Sequence, residues 1–376
     1  MSTSASANSS TWVDNPARSE RAYGDVRVRC LQHLRVLAAS VIVLYHTELQ
    51  LTRLTDGAHQ HSLGFGAAGT DLFFAIGGFV LVYTSHNRKD SFGAFLYRRF
   101  LRIAPLYWLF TLLMLAVLLI APAQLLTTKA DLGHVLASLA FIPYPHPVLG
   151  LDRPFLFPGW VLNNFALFYL LFGSLLFLST GKRVLSVSIV LCSLVILKML
   201  FGHTSHLLNF YGSTLALDFV QGMLVAWLFL ARNEPPWIIA AAFAAGASIF
   251  AVGVLENVSE GAERALFWGV ADATLLFACV SIEKRWGWPE WRLLSKLGDA
   301  SYSVFVSHLF ALAVTTSILR AFRLFPVLGV TGARIVFVGA AWTLGVIVYT
   351  AIERPMMRRL DRRRRRVDGL IPAGPS

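Results

Sequence analysis

Charge is scarce in this chain. Asp, Glu, Lys and Arg make up 14% of its 376 residues, where a soluble domain carries about a quarter. Acidic groups are scarcer than basic ones, 21 against 33, while 56% of residues are hydrophobic and the mean hydropathy is +0.61. That balance excludes an ordinary soluble enzyme. Cysteine is nearly missing too: Cys30, Cys192 and Cys279 lie far apart, at or within apolar stretches. They form no disulfide framework and no metal-ligand spacing, so each reads as a small buried hydrophobe and no metal is expected. The stretch from Met1 to Asn15 is rich in Ser, Thr and Asn and lacks the apolar core of a signal peptide. It reads as a disordered tail, with the first apolar span serving as an uncleaved insertion signal.

What the chain has in abundance is apolar runs of about 20 residues, each long enough to cross a bilayer. Ten are expected, at 30–50, 64–85, 104–121, 159–179, 184–202, 211–231, 236–255, 264–282, 299–319 and 331–352. The fold class is therefore all-α, a polytopic integral membrane helical bundle of about ten transmembrane helices. Residues 1–29 form a cytoplasmic tail, 30–360 the membrane domain and 361–376 a basic cytoplasmic tail. With the N-terminus inside, 25 of the 33 Lys and Arg residues fall on one side, which sets that side as cytoplasmic and brings both termini there. The Arg362–Arg366 run then anchors the topology on anionic membrane lipid, and nucleic acid is not an expected partner. No internal repeat of the kind seen in many secondary transporters is visible.

Two groups of ionisable residues carry the chemistry. Arg35 and His46 lie in the first span, eleven residues apart. At about 100° per residue they share one helix face, about 16 Å from each other. Ionisable groups at membrane depth are costly and mostly functional. The second span runs back through Gly69-Thr70-Asp71-Leu72-Phe73-Phe74, placing Asp71 at a depth similar to His46. A carboxylate there can hold the imidazole in one tautomer, as a general base acting on an alcohol requires. The second group is Tyr97-Arg98-Arg99-Phe100-Leu101-Arg102, entering the third span. Arg98, Arg99 and Arg102 cluster at three- and four-residue spacing, a pattern suited to phosphates, with the helix start adding its dipole; the positive-inside rule alone would also place them there. Base and phosphate binders are separated by about the reach of a pantetheine arm, so cytoplasmic acyl-CoA could present its thioester within the membrane.

Outside, Pro143-Tyr144-Pro145-His146-Pro147 and Arg153 to Trp160 interleave prolines with aromatics. This is either a surface for stacking a sugar ring or an interfacial aromatic belt. His308 lies about a third of the way into the ninth span and suits either helix–helix hydrogen bonding or a site role. His59, His61, His203 and His206 read as solvated, and Glu353-Arg354-Pro355 as a structural ion-pair corner.

The chain resembles the membrane acyltransferase-3 family, specifically bacterial exopolysaccharide and O-antigen acetyltransferases. The resemblance runs from Cys30 to Leu360 and is carried by Leu34-Arg35 through Tyr45-His46, Gly69 to Phe74, Gly78-Phe79, Arg98-Arg99 with Arg102 and Pro105, and Gly159-Trp160 with Phe168-Tyr169. Asp218-Phe219 with Gly222-Met223, Leu297 to Ser303 with His308, and Glu353-Arg354-Pro355 complete it. It implies a ten-helix bundle of the bacterial inner membrane. Such a bundle transfers acetyl groups, usually from acetyl-CoA, to hydroxyls of an extracytoplasmic carbohydrate or lipid-linked glycan such as an exopolysaccharide or lipopolysaccharide precursor. His46 becomes the catalytic base, Arg35 its partner, and Arg99 and Arg102 ligands of the CoA phosphates. Trp160, His308 and the pair Asn163 and Asn164 become candidates for the acceptor side. There are departures. Val161 and Phe165 stand where the family commonly has a polar residue and a glutamate, and Gly77-Gly78-Phe79 replaces Ser-Gly-Phe. A transporter or flippase for a lipid-linked sugar would explain the intramembrane charges instead, and a non-catalytic relative in a polysaccharide assembly complex would explain Phe165.

Overall fold

The computed structural model describes residues 28–59, 63–121, 131–148, 150–258 and 263–367, with the side chains of His203 and 361–367 left aside. The expected tail 1–29, apart from Val28 and Arg29, thus lies outside the described residues. So do His61, Lys129 and the side chains of the Arg362–Arg366 run.

Among the described residues the chain is helical, with no strand. Its helices are α1 (Cys30–Leu54), α2 (Ala68–Ser85), α3 (Phe92–Ile120), α4 (Leu132–Leu139), α5 (Gly159–Ser174), α6 (Thr180–Phe201), α7 (His206–Tyr211), α8 (Leu215–Ala231), α9 (Pro236–Leu255), α10 (Val270–Trp286), α11 (Arg292–Ala321), α12 (Phe325–Val348) and α13 (Arg354–Val367). Among the described residues eight segments are long and apolar enough to cross a membrane: Cys30–Leu54, Gly64–Ser85, Phe92–Ile120, Thr180–Phe201, Pro236–Leu255, Ala265–Trp286, Arg292–Ala321 and Phe325–Leu360. The other two expected spans are shorter, 16 residues for α5 and 17 for α8. At 1.5 Å per residue each is about 25 Å long, just under the bilayer core. Arg183 fixes where α5 stops. Its guanidinium donates to the carbonyls of Leu175, Leu176 and Leu178 at 3.1, 2.8 and 2.7 Å, taking the acceptors that a longer helix would use.

The third and ninth spans begin much earlier than their apolar runs. Ser91 caps α3, its hydroxyl accepting from Ala94 N–H at 3.3 Å, so Arg98, Arg99 and Arg102 sit about two turns into the helix. The helix dipole acts within the first turn and adds little to them. Likewise α11 starts at Arg292, which shrinks the expected basic connection 283–298 to the few residues after Trp286.

Burial sorts the helices. In α2 72% of the span is buried and in α11 61%, against 17% in α9 and 22% in α6, so the first two form the core and the latter two face outward. The tightest crossing is between α2 and α8. A Cβ at Gly78 would stand 2.1 Å from the Phe219 carbonyl, and one at Gly222 1.9 Å from that of Ala75. Only glycine lets the two backbones approach so closely. Phe74, Phe79, Phe168, Phe172 and Phe219 fill the space around this crossing. The cysteines are all free thiols, Cys30 fully buried.

α1 is held at both ends by distant residues. The N–H groups of Arg29 and Cys30 donate to the two oxygens of Glu283 on α10, each at 2.7 Å. At the other end Glu48, fully buried, accepts from Arg334 Nε on α12 at 2.7 Å and Nη2 at 3.0 Å, and lies 3.0 Å from His59 Nε2. His59 is therefore not a solvated loop residue, whereas His206 is.

Candidate functional site

Two histidines meet near the middle of the bundle. His46 on α1 and His308 on α11 have ring centroids 4.9 Å apart at 63°. Nδ1 of His46 lies 3.0 Å from the Ile42 carbonyl oxygen, and Nδ1 of His308 lies 2.7 Å from that of Phe305. A carbonyl only accepts, so each Nδ1 carries the hydrogen and each Nε2 keeps its lone pair. That is the tautomer a general base needs, and here the helix backbone sets it. His308 is fully buried, while His46 is half-buried. The ring of Phe157, from the proline-rich segment, packs edge-on against His46 with centroids 6.2 Å apart.

Asp71 does not serve the imidazole in the way the sequence suggested. Its carboxylate is taken by Arg264, whose Nε donates to both oxygens at 3.1 Å and whose Nη2 donates to Oδ2 at 2.6 Å and to the Ala67 carbonyl at 3.1 Å. Asp71 is 1% exposed and its ion pair ties α2 to the turn that precedes α10. Asp218 and Asp272 are also buried, adding carboxyl groups to this side of the bundle.

The arginines converge on a cavity of about 440 Å³ opening at the basic end of the bundle. Arg35, Arg88, Arg98, Arg99 and Arg102 all line it, together with Thr84, Ser85 and Asp90. Arg98 donates to Asp90, and Arg102 lies 2.9 Å from Glu353 Oε1, whose other oxygen accepts from Ser303 at 2.6 Å. Glu353 therefore turns to α3 and α11 rather than forming the expected corner with Arg354. Arg99 differs from its neighbours. Nη2 donates to the Thr84 hydroxyl at 2.6 Å and the Ser85 hydroxyl at 3.5 Å, and its guanidinium packs over the rings of Phe95 and Tyr169 at 5.3 and 5.9 Å. Among the described residues no carboxylate pairs with it. A guanidinium held by neutral groups beside a cavity keeps its charge uncompensated by them. Deeper in, the walls are Phe73, Ile76, Val161, Leu162, Phe165 and Phe305. Phe73 packs on Phe305 at 5.9 Å, and Phe305 on His308 at 6.3 Å, so the apolar end of the cavity abuts the histidine pair.

A lid of loop and short helix covers the opposite end. The imidazole Nε2 of His134 on α4 donates to the Arg153 carbonyl at 2.8 Å, and the Ser138 hydroxyl accepts from Phe155 N–H at 2.7 Å. Trp108 of α3 donates to the Leu139 carbonyl at 2.8 Å. Burial pushes the imidazoles of His134 and His146 below their ordinary pKa, the Arg153 carbonyl partly offsetting this for His134 and the charge of its neighbour adding to it for His146. The clasp fixes Arg153, whose guanidinium lies over Trp160 at 5.2 Å and at 5.7 Å over Phe157, the ring that meets His46. Trp160 thus joins the lid, while Asn164 donates to the Trp160 carbonyl at 3.0 Å within its own helix and Asn163 is fully buried.

Arg153, Arg264 and Glu353 were not legible as site neighbours. The partners of Arg264 and Glu353 lie far off in the chain and each reads as a loop or end-of-span charge, while Arg153 reads only as part of the proline-aromatic segment. For Arg264 the one available signal was a cation immediately before an apolar span that contains a buried-type Asp272.

The profile of the acyltransferase-3 family, described as an acyltransferase domain, matches residues 28–352. The chain is also 34% identical over 314 residues to the exopolysaccharide production protein ExoZ of Rhizobium meliloti (strain 1021), covering 82% of this chain and 95% of the relative. No solved structure matches it at a significant level. With that match running through the arginine-lined cavity and both histidines, the chain belongs to the acyltransferase-3 family.

Proposed function

We propose that the protein transfers an acetyl or similarly short acyl group from cytoplasmic acyl-CoA to a hydroxyl of an extracytoplasmic carbohydrate, an exopolysaccharide or lipopolysaccharide precursor, in a bacterial inner membrane with both termini cytoplasmic. The observation that carries the reading is Arg99, a guanidinium with neutral partners only, at the mouth of a cavity whose apolar end abuts His308 and His46. Arg99, supported by Arg98, Arg102 and Arg88, binds the donor's phosphates; Arg35 extends positive charge toward the histidines; the cavity volume suits a small-molecule site. The donor supplies an activated acyl group as a thioester. His46 takes the proton of the acceptor hydroxyl at Nε2 as the new C–O bond forms and the C–S bond breaks, and the proton leaves on the thiol. His308 backs His46, and the lid of Arg153, Phe157 and Trp160 receives the sugar.

NMR of surface or secreted polysaccharide tests this in cells carrying the protein, lacking it, or carrying His46→Ala. Loss of O-acyl signals in both the deletion and the variant is expected. Unchanged acylation with altered polymer amount or export would refute the reading in favour of transport or assembly, for which the buried Asp71, Asp218, Asp272 and Arg264 would then be the place to look.

A further inference from the structure

Inside the cavity the ring of Phe165 on α5 lies against the backbone of α2 at Gly77. A Cβ at Gly77 would stand 2.3 Å from Phe165 Cε1 and 2.5 Å from Cζ, well inside van der Waals contact. The ring therefore occupies the space that any other residue at position 77 would fill. Both positions also depart from the sequence pattern noted above, and here they prove to be one feature: the aromatic ring fits because the facing side chain is missing.

The ring is backed as well as seated. Phe74 stacks on it at 5.2 Å and 20°, and Phe168 and Phe219 meet it edge-on at 6.0 and 6.2 Å. Close-packed rings on one side and a helix backbone on the other hold it where it lines the cavity. Its position along the cavity matters. One turn toward the mouth is Tyr169, which packs on Phe165 at 5.9 Å and lies under the Arg99 guanidinium. Farther in, Phe73 and Phe305 lead to His308. On α2, Gly77 lies between Thr84, which meets Arg99, and Phe73, so Phe165 lines the cavity between Arg99 and the end nearest the histidines.

We infer that Phe165, seated on Gly77, sets the length of acyl chain the site accepts and confines it to short ones. The inference rests on the acyltransfer reading and adds the pair that determines its donor specificity. Each further methylene on the acyl chain must share the cavity with a ring backed by its neighbours.

The test uses membranes containing the full chain, supplied with radiolabelled acetyl-, butyryl- or hexanoyl-CoA, and reads label appearing in extracted polysaccharide. Phe165→Ala, with Phe165→Leu as a milder variant, should raise the hexanoyl-to-acetyl ratio at least tenfold. An unchanged ratio with acetyl transfer detectable would overturn the specificity assignment alone. No label transferred from any donor by the unaltered protein would overturn the acyltransfer reading, and this inference with it. A second measurement is independent of activity: Gly77→Ala should lower the thermal midpoint when Phe165 is present and leave it unchanged in a Phe165→Ala background. Equal losses in both backgrounds would show that the ring does not rest on Gly77.

Discussion

Replacing Arg99 by glutamine removes a guanidinium that two hydroxyls and two ring faces hold beside the cavity. Hydrogen bonds to charged groups contribute about 1.5–3 kcal/mol. Glutamine keeps one neutral donor, so the net loss for an anionic donor should be one such contact. At about 1.4 kcal/mol per tenfold, that is about 10- to 150-fold weaker binding. Lysine keeps the charge but loses the planar fork, so Arg99→Lys should fall between the two. The assay is thiol release from acyl-CoA by membranes containing the protein, measured against donor concentration. KM for the donor should rise with little change in the maximal rate, because the contact is made equally before and during reaction. Thr84 and Ser85 are neutral and lose only a donor, so the fold should persist, which a thermal midpoint checks. A glutamine variant with unaltered KM, or one that loses only maximal rate, would refute the assignment of Arg99 to the donor's phosphates.

Other perturbations separate the remaining parts of the structure. His46→Ala should abolish acyl transfer, while His308→Ala should leave a residue of it, about 1–10%, since loss of general acid–base assistance typically costs about 10²–10⁴-fold and His308 acts through its neighbour; equal residual rates would contradict the supporting role of His308. Gly222→Ala puts a methyl group where the Ala75 carbonyl stands and should cost about 1–3 kcal/mol by overpacking, read as a lower thermal midpoint. Asp71→Asn leaves Arg264 buried without its carboxylate and should destabilise by about 3–5 kcal/mol, with partial recovery when Arg264 is also replaced by Met. The lid should respond to pH. Because burial holds His134 and His146 below the ordinary value of about 6.5, the opened lid binds protons that the closed one refuses. Closure is at full strength above about 6.5 and weakens as pH falls below it. Protection of the 131–157 amides, taken relative to their intrinsic exchange rate at each pH, should therefore fall on acidification, and His134→Phe should flatten that dependence; pH-independent protection would contradict it.

The membrane bundle was legible from apolar runs because each span must satisfy its backbone within itself, which fixes length and composition together. Arg35, His46, Arg98, Arg99 and Arg102 were legible for a related reason: helical spacing within one segment places them without any tertiary knowledge. What failed was pairing between segments. Asp71 has a similar depth to His46, but depth does not choose a partner, and Arg264 lies 193 residues away. The same limit hid His308 as the ring beside His46, since its two readings differ only in what another helix presents to it. The ends of α3 and α11 were misplaced because polar first turns extend beyond the apolar run, held by Ser91 and by packing that hydropathy does not register.

The way α1 is fastened has a consequence for biosynthesis. This helix leaves the ribosome first among the spans, carrying both Arg35 and His46. Yet the carboxylate that closes its starting turn belongs to residue 283, and the guanidinium that grips Glu48 belongs to residue 334. Until both have been made, the first turn's N–H groups have no acceptor from α10, and Glu48 lacks its Arg334 partner. This helix therefore waits for two much later residues, and a chain stalled short of residue 283 carries its histidine on a helix that neither clasp yet grips. The order in which the polypeptide is built thus sets when the helix bearing Arg35 and His46 can be clasped at both ends.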